Sequence, residues 1–149
     1  MNYICKKKII VFHHIPEFLN GKLVQDTLKA FIEAEGFGID QLVYNFVSKS
    51  QLLELNQTYL NHDTHTDVIT FDYTEDKKIK AEVFISLWAV AISAEEESQT
   101  IENETLRVLS HAALHCMGLK DKTADEKSRM RAKENEFIDL FHVKHNKYV

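Results

Sequence analysis

Proline occurs once and glycine four times in the 149 residues of this chain. So few chain-breaking residues leave little room for long disordered linkers. Cysteine is nearly as scarce. Cys5 and Cys116 are the only two, and without a secretory leader they read as free thiols of a reducing, cytoplasmic setting and not as a disulfide scaffold. No apolar run approaches the length of a membrane span, so no membrane partner is expected. The opening stretch MNYICKKKIIVFHH joins a basic run to a short apolar segment with no small-residue cleavage site, so it is not read as a signal peptide. A surplus of positive charge is also missing. The formal charge of −5 argues against a broad basic surface that coats nucleic acid, while leaving room for an enzyme that grips a short segment locally.

What remains is the make-up of an ordinary globular protein. The length fits a single domain over residues 1–149, large enough to bury a core without disulfide or metal staples. Residues 7–13 read as a strand with Ile9, Ile10, Val11 and Phe12 as a buried run. Residues 22–35 place Leu23, Leu28, Phe31 and Ile32 near one helical face, with Gly36 and Gly38 ending the helix. Residues 41–47 alternate as a strand does. Ser48 or Ser50 caps a short helix running to about Tyr59, with Leu52, Leu55 and Tyr59 on one side.

A polar loop, Asn61–Thr66, leads into a strand over Asp67–Tyr73. A charged turn, Thr74–Lys80, joins it to a strand over 81–86, and the pair forms a hairpin. Helices follow over 88–98, 102–117 and from Ala124 to about Phe141. The acidic Glu95–Glu97 end of the first is a solvated face. The order β-α-β-α-β-β-α-α-α predicts an α/β (α+β) domain: one mixed four-stranded sheet, helices packed on it, and the chemistry on a late helix.

That chemistry is concentrated in SHAALHCMGLKDKT, residues 110–123. His111 and His115 are four apart, which puts both imidazoles on one helical face, one turn apart, close enough to share an ion. Gly118 can take a positive φ and turn the chain back, so that Asp121 supplies a third ligand. Two imidazoles and a carboxylate leave a position for water, which is the catalytic arrangement and not the closed structural one. Cys116 would point about 100° away from His115 and is expected to be a packed thiol. The plain alternative is that an i, i+4 histidine pair on an apolar helix is packing and nothing more. The glycine stop and the acidic residue in phase favour the metal. His13, His14, His62, His65, His142 and His145 have no such context and read as surface or loop residues, His65 being the one beside the Asp67 segment.

The spacing is shared with the metzincin proteases, whose general base is a glutamate directly after the first histidine. Here Ala112 stands there, which argues against a zinc metallopeptidase-like hydrolase.

The chain resembles the YbeY endoribonucleases. Their signature helix, His-Gly-x-Leu-His-Leu-x-Gly-Tyr-Asp-His, is matched at His111, Leu114, His115 and Gly118. A second block, LNQTYLNHDTHTDVITF over residues 55–71, resembles LN..YR..D..TDVLSF, and Glu82–Ser86 resembles GDIFIS. The resemblance covers roughly residues 40–125. It implies a zinc-dependent, single-strand-specific endoribonuclease of ribosomal RNA maturation and ribosome quality control, with one ion per chain. It implies single-stranded RNA and ribosomal RNA as substrates, and ribosomal proteins or a ribosome-associated GTPase as partners. It also brings Asp67 and Thr66 near the metal helix, although Asp67 at a strand start equally suits capping of backbone amides. Two departures stand out. Asp121 replaces the usual third histidine, and Leu60 replaces an arginine, so a cation must come from Lys120, Lys122 or Arg107. The missing arginine motivates another reading, a non-catalytic ribosome-associated factor that keeps its metal for stability. Glu104 lies seven residues before His111 on the same face and is read as exposed charge, with a supporting contact to the metal site as the alternative.

Overall fold

The computed structural model describes residues 9–60 and 67–147. The loop expected over 61–66, with His62, His65 and Thr66, lies outside the described residues, as do Cys5, the first two positions of the expected first strand, and the imidazole of His145.

The elements follow the expected order: β1 (Ile10–His13), α1 (Gly21–Ala34), β2 (Gly38–Val47), α2 (Lys49–Leu60), β3 (Val68–Asp72), β4 (Lys78–Ser86), α3 (Leu87–Glu96), α4 (Ile101–Cys116) and α5 (Ala124–Lys147). They build one mixed sheet in the order β1-β2-β4-β3. β1 and β4 flank β2 in parallel, and β3 runs antiparallel to β4. The fold is α+β. No helix among the described residues is long and apolar enough to cross a membrane.

Two expectations are corrected. The turn between β3 and β4 is shorter than 74–80, because β4 already begins at Lys78. Its first half alternates exposed Lys78 and Lys80 with buried Ile79 and Ala81, so a strand with one wet face passes for a charged turn. Gly36, with φ +86°, ends α1, whereas Gly38 is already in β2 opposite Lys78.

Alternation selects the core face. Leu42, Tyr44 and Phe46 of β2 and Ile79, Ala81, Val83 and Ile85 of β4 are buried against α1, α4 and α5. α2 meets the opposite face, where Tyr59 packs edge-on to Phe71 at 5.6 Å. Ser48 caps α2, its hydroxyl accepting from the Gln51 amide at 3.1 Å. Tyr44 is completely buried and donates its hydroxyl to the Leu109 carbonyl at 2.8 Å. That bond ties the middle of α4 to the centre of the sheet, two residues before His111. On the far side, Phe31 of α1 packs edge-on against Phe137 of α5 at 5.4 Å, and Lys133 reaches Glu35 at 2.6 Å. α5 is therefore fixed against both α1 and α4.

Candidate active site

α4 starts at Thr100, whose hydroxyl accepts from the Asn103 amide at 3.0 Å. It closes in a Schellman turn: the Leu119 amide donates to the Leu114 carbonyl at 3.1 Å and the Gly118 amide to the His115 carbonyl at 3.0 Å, with φ +94° at Gly118. α5 starts with a reciprocal capping box. The Thr123 hydroxyl accepts from the Glu126 amide at 3.1 Å, and the Glu126 carboxylate accepts from the Thr123 amide at 2.9 Å. The short link between these two caps carries Asp121 back to α4. Its Oδ2 lies 3.4 Å from His111 Nε2.

The other ring nitrogen of His111 faces α5. Nδ1 is 2.8 Å from Glu134 Oε2. Glu134 is itself buried and accepts from Arg107 Nη1 on its second oxygen at 3.1 Å, while Arg107 Nη2 donates to Asn135 Oδ1 at 2.9 Å. In the neutral ring a carboxylate on Nδ1 favours the Nδ1–H tautomer, whose Nε2 lone pair is then free for an ion on the Asp121 side. This is the donor arrangement a divalent ion of zinc type requires of an imidazole. The same hydrogen bond raises the His111 pKa, against the opposing effect of burial.

These groups wall a cavity of about 420 Å³ between the start of β3 and helices α4 and α5. Asp67 lines it, half-buried, and burial pushes its carboxyl above the ordinary range. Asp67 and His111 thus share one cavity. His115 stands one turn further along α4, exposed and outside the lining. Among the described residues, no three His, Cys, Asp or Glu side chains are gathered closely enough to hold an ion. His111 and Asp121 come together in the cavity lining, and His115 lies on the same helix outside that lining.

Further expectations are settled by packing. Glu104 is not exposed charge. It is buried on the cavity wall, its carboxyl raised by that burial, with Ser93 at 3.5 Å. Arg107 is no spare cation, being held by Glu134 and Asn135. Lys120 and Lys122 stand outside the cavity lining. Cys116 is the packed thiol expected, pushed up to about 12 by burial. His142 sits on α5, bonded to Asn103 at 2.7 Å, and not in a loop.

Comparison with known proteins decides the family. The sequence profile described as endoribonuclease YbeY matches residues 9–142. The chain belongs to the YbeY endoribonuclease family. A YbeY endoribonuclease from Flavobacterium johnsoniae is 39% identical over 137 residues, covering 91% of this chain and 99% of that protein. One from Flavobacterium psychrophilum is 41% identical over 119 residues, covering 80% and 85%. The solution structure of TM1509 from Thermotoga maritima superposes with a TM-score of 0.67 over 93% of each chain at 23% identity, which establishes the shared fold.

Reading the sequence did not single out Glu134 for this YbeY-family site. It lies in the charged run of α5, where nothing distinguishes it from its neighbours. The Thr123-x-x-Glu126 capping box was a readable signal for where α5 begins, and so for which α5 residues face α4.

Proposed function

We propose that this chain is a metal-dependent endoribonuclease cutting single-stranded RNA, with one divalent ion, zinc by its donor set, held by His111, His115 and Asp121. The observation that carries this reading is the Glu134–His111–Asp121 alignment, with Nδ1 occupied at 2.8 Å and Nε2 facing the carboxylate at 3.4 Å. Endoribonuclease chemistry goes with the family. The ion, the strand preference and the residue roles are our assignment.

A bound divalent ion would acidify water and polarise a phosphate oxygen. The chain's own groups do the rest. Glu134 holds the His111 ring in place, and Arg107 holds Glu134. Asp67 on the cavity wall takes the proton of the attacking oxygen as its bond to phosphorus forms and the P–O bond to the leaving group breaks. Thr66 is assigned beside it from the sequence alone. Unpaired strands suit a recessed cavity because their phosphates can bend into it, whereas a duplex is stiff. Ribosomal RNA is the substrate class, and ribosomal proteins or a ribosome-associated GTPase in the cytoplasm are the partners this role would bring.

The test is elemental analysis combined with cleavage of a single-stranded RNA oligonucleotide. The wild type should carry zinc and cut; His111→Ala, His115→Ala and chelator-treated protein should not. Zinc equal to wild type in both histidine variants would overturn the ligand set. RNA cleavage unchanged by chelator would overturn metal dependence, and casein cleavage without RNA cleavage would return the peptidase reading. Metal retained in a protein that never cuts RNA would favour a non-catalytic ribosome-associated factor.

A further inference from the structure

The site as described has an unmet electrostatic need. Its wall carries the carboxylates of Asp67, Glu104, Asp121 and Glu134, and an RNA phosphate adds more negative charge. Arg107 cannot answer it, because its guanidinium is already bonded to Glu134 and Asn135. Lys127 and Arg131 also line the cavity. Both are exposed, and among the described residues neither lies within ion-pair distance of a carboxylate. Helical geometry explains their aim. At about 100° per residue, positions 127, 131 and 134 fall within roughly 60° of arc on α5. Glu134 on that stripe points at His111, so the two cations on it look into the same space. The Arg131 charge is felt by the buried Glu104 carboxylate on the opposite wall.

We propose that Lys127 and Arg131 form the phosphate-binding wall of the cavity, gripping the RNA backbone opposite His111 and Asp121. This rests on the reading of the cavity as the RNA-cleaving site. The guanidinium of Arg131 offers a planar fork for two phosphate oxygens, and the Lys127 ammonium a point charge one turn away. The phosphate contacts fix where the strand lies and leave base identity unread.

The test measures binding without turnover. Fluorescence anisotropy of a labelled single-stranded RNA oligonucleotide is recorded with metal-stripped protein across a salt series. Lys127→Gln and Arg131→Gln should each weaken binding about tenfold. Each should flatten the slope of log K against log salt by about 0.7, one phosphate contact. Arg129→Gln makes the same charge change on the opposite face of α5 and should bind as the wild type does; Arg131→Lys should recover part of the loss. Wild-type affinity in both Gln variants, or an equal loss in Arg129→Gln, would overturn the proposal, the second outcome assigning the attraction to diffuse charge. Zinc content after reloading should be unchanged in Lys127→Gln and Arg131→Gln. A failure of the ligand set therefore shows in the metal analysis, and a failure of the cationic wall in the binding data.

Discussion

α1 and α4 lean on the same face of the sheet, yet they are built on opposite terms. α1 buries Leu23, Val24, Leu28, Phe31 and Ile32 with one polar companion, Thr27, whose hydroxyl donates to the Leu23 carbonyl at 2.7 Å. α4 buries Leu106, Leu109, Ala113 and Leu114, but also Glu104, Thr105 and Ser110. Its buried Glu104 Oε2 and Arg107 Nε find no hydrogen-bond partner among the described residues. Desolvated polar atoms without partners cost free energy that an apolar helix avoids. The difference teaches where this molecule gives up stability: on the helix that lines the cavity, and not on the one that only holds the sheet.

The comparison is broken most severely at Leu28, which is fully buried. Leu28→Ala should cost about 3 kcal/mol. Thermal and urea melts will show the loss, while zinc content and cleavage per folded molecule stay as in the wild type. A matching fall in specific activity would mean that α1 is not mere scaffold.

Glu134→Gln should act the other way round. Oε2 is the group that orients His111 at 2.8 Å, and loss of such a support typically lowers metal affinity 10–100-fold, about 1.4–2.7 kcal/mol. Competition with a zinc-chelating dye measures it. Affinity equal to wild type would show that His111 is oriented by something else.

Glu104→Gln sharpens the contrast by removing a liability. Burial raises the Glu104 carboxyl above its ordinary pKa, so the folded state holds that proton more tightly than the unfolded state. Its contribution to stability is present below the unfolded pKa and is lost as pH rises through the folded value. The substitution should therefore raise Tm by about 2–4 °C at neutral pH and leave it unchanged in acid. A fall at neutral pH would mean that the ionised carboxylate is needed for the fold.

The smallest effect belongs to Cys116. Buried and pushed up to about 12, its thiol should resist iodoacetamide at neutral pH until the chain unfolds. Mass spectrometry of the peptide containing Cys116 after labelling in native buffer and in urea checks this. Rapid native labelling would expose an opening at the end of α4.

Much of this was legible in the residues. The order of the nine elements among the described residues follows from period and punctuation, because alternating or three-to-four-spaced apolar patterns mark which face each element buries. The approach of Asp121 to His111 follows from the spacing around Gly118. What could not be read is which polar residues on α4 and α5 face one another. Glu104, Arg107 and Glu134 look like surface charge in one dimension. Their burial is decided by helix–helix packing, which α4 owes to Tyr44 on the sheet and α5 to Phe31 on α1. The start of β4 was hidden for a related reason, since Lys78 and Lys80 occupy its wet face.

The turn at Gly118 has a consequence in stereochemistry. A side chain added there would meet nothing within 4 Å, so space does not restrict the position; its φ of +94° does. What holds Asp121 in reach of His111 is therefore handedness. An L-alanine at Gly118 would be strained in an empty space, whereas a D-alanine introduced by chemical synthesis has the mirror-image preference and suits that dihedral. The path from His115 to Asp121 is set by a left-handed backbone dihedral at one achiral carbon, and a D-residue, larger than the glycine it replaces, would keep it.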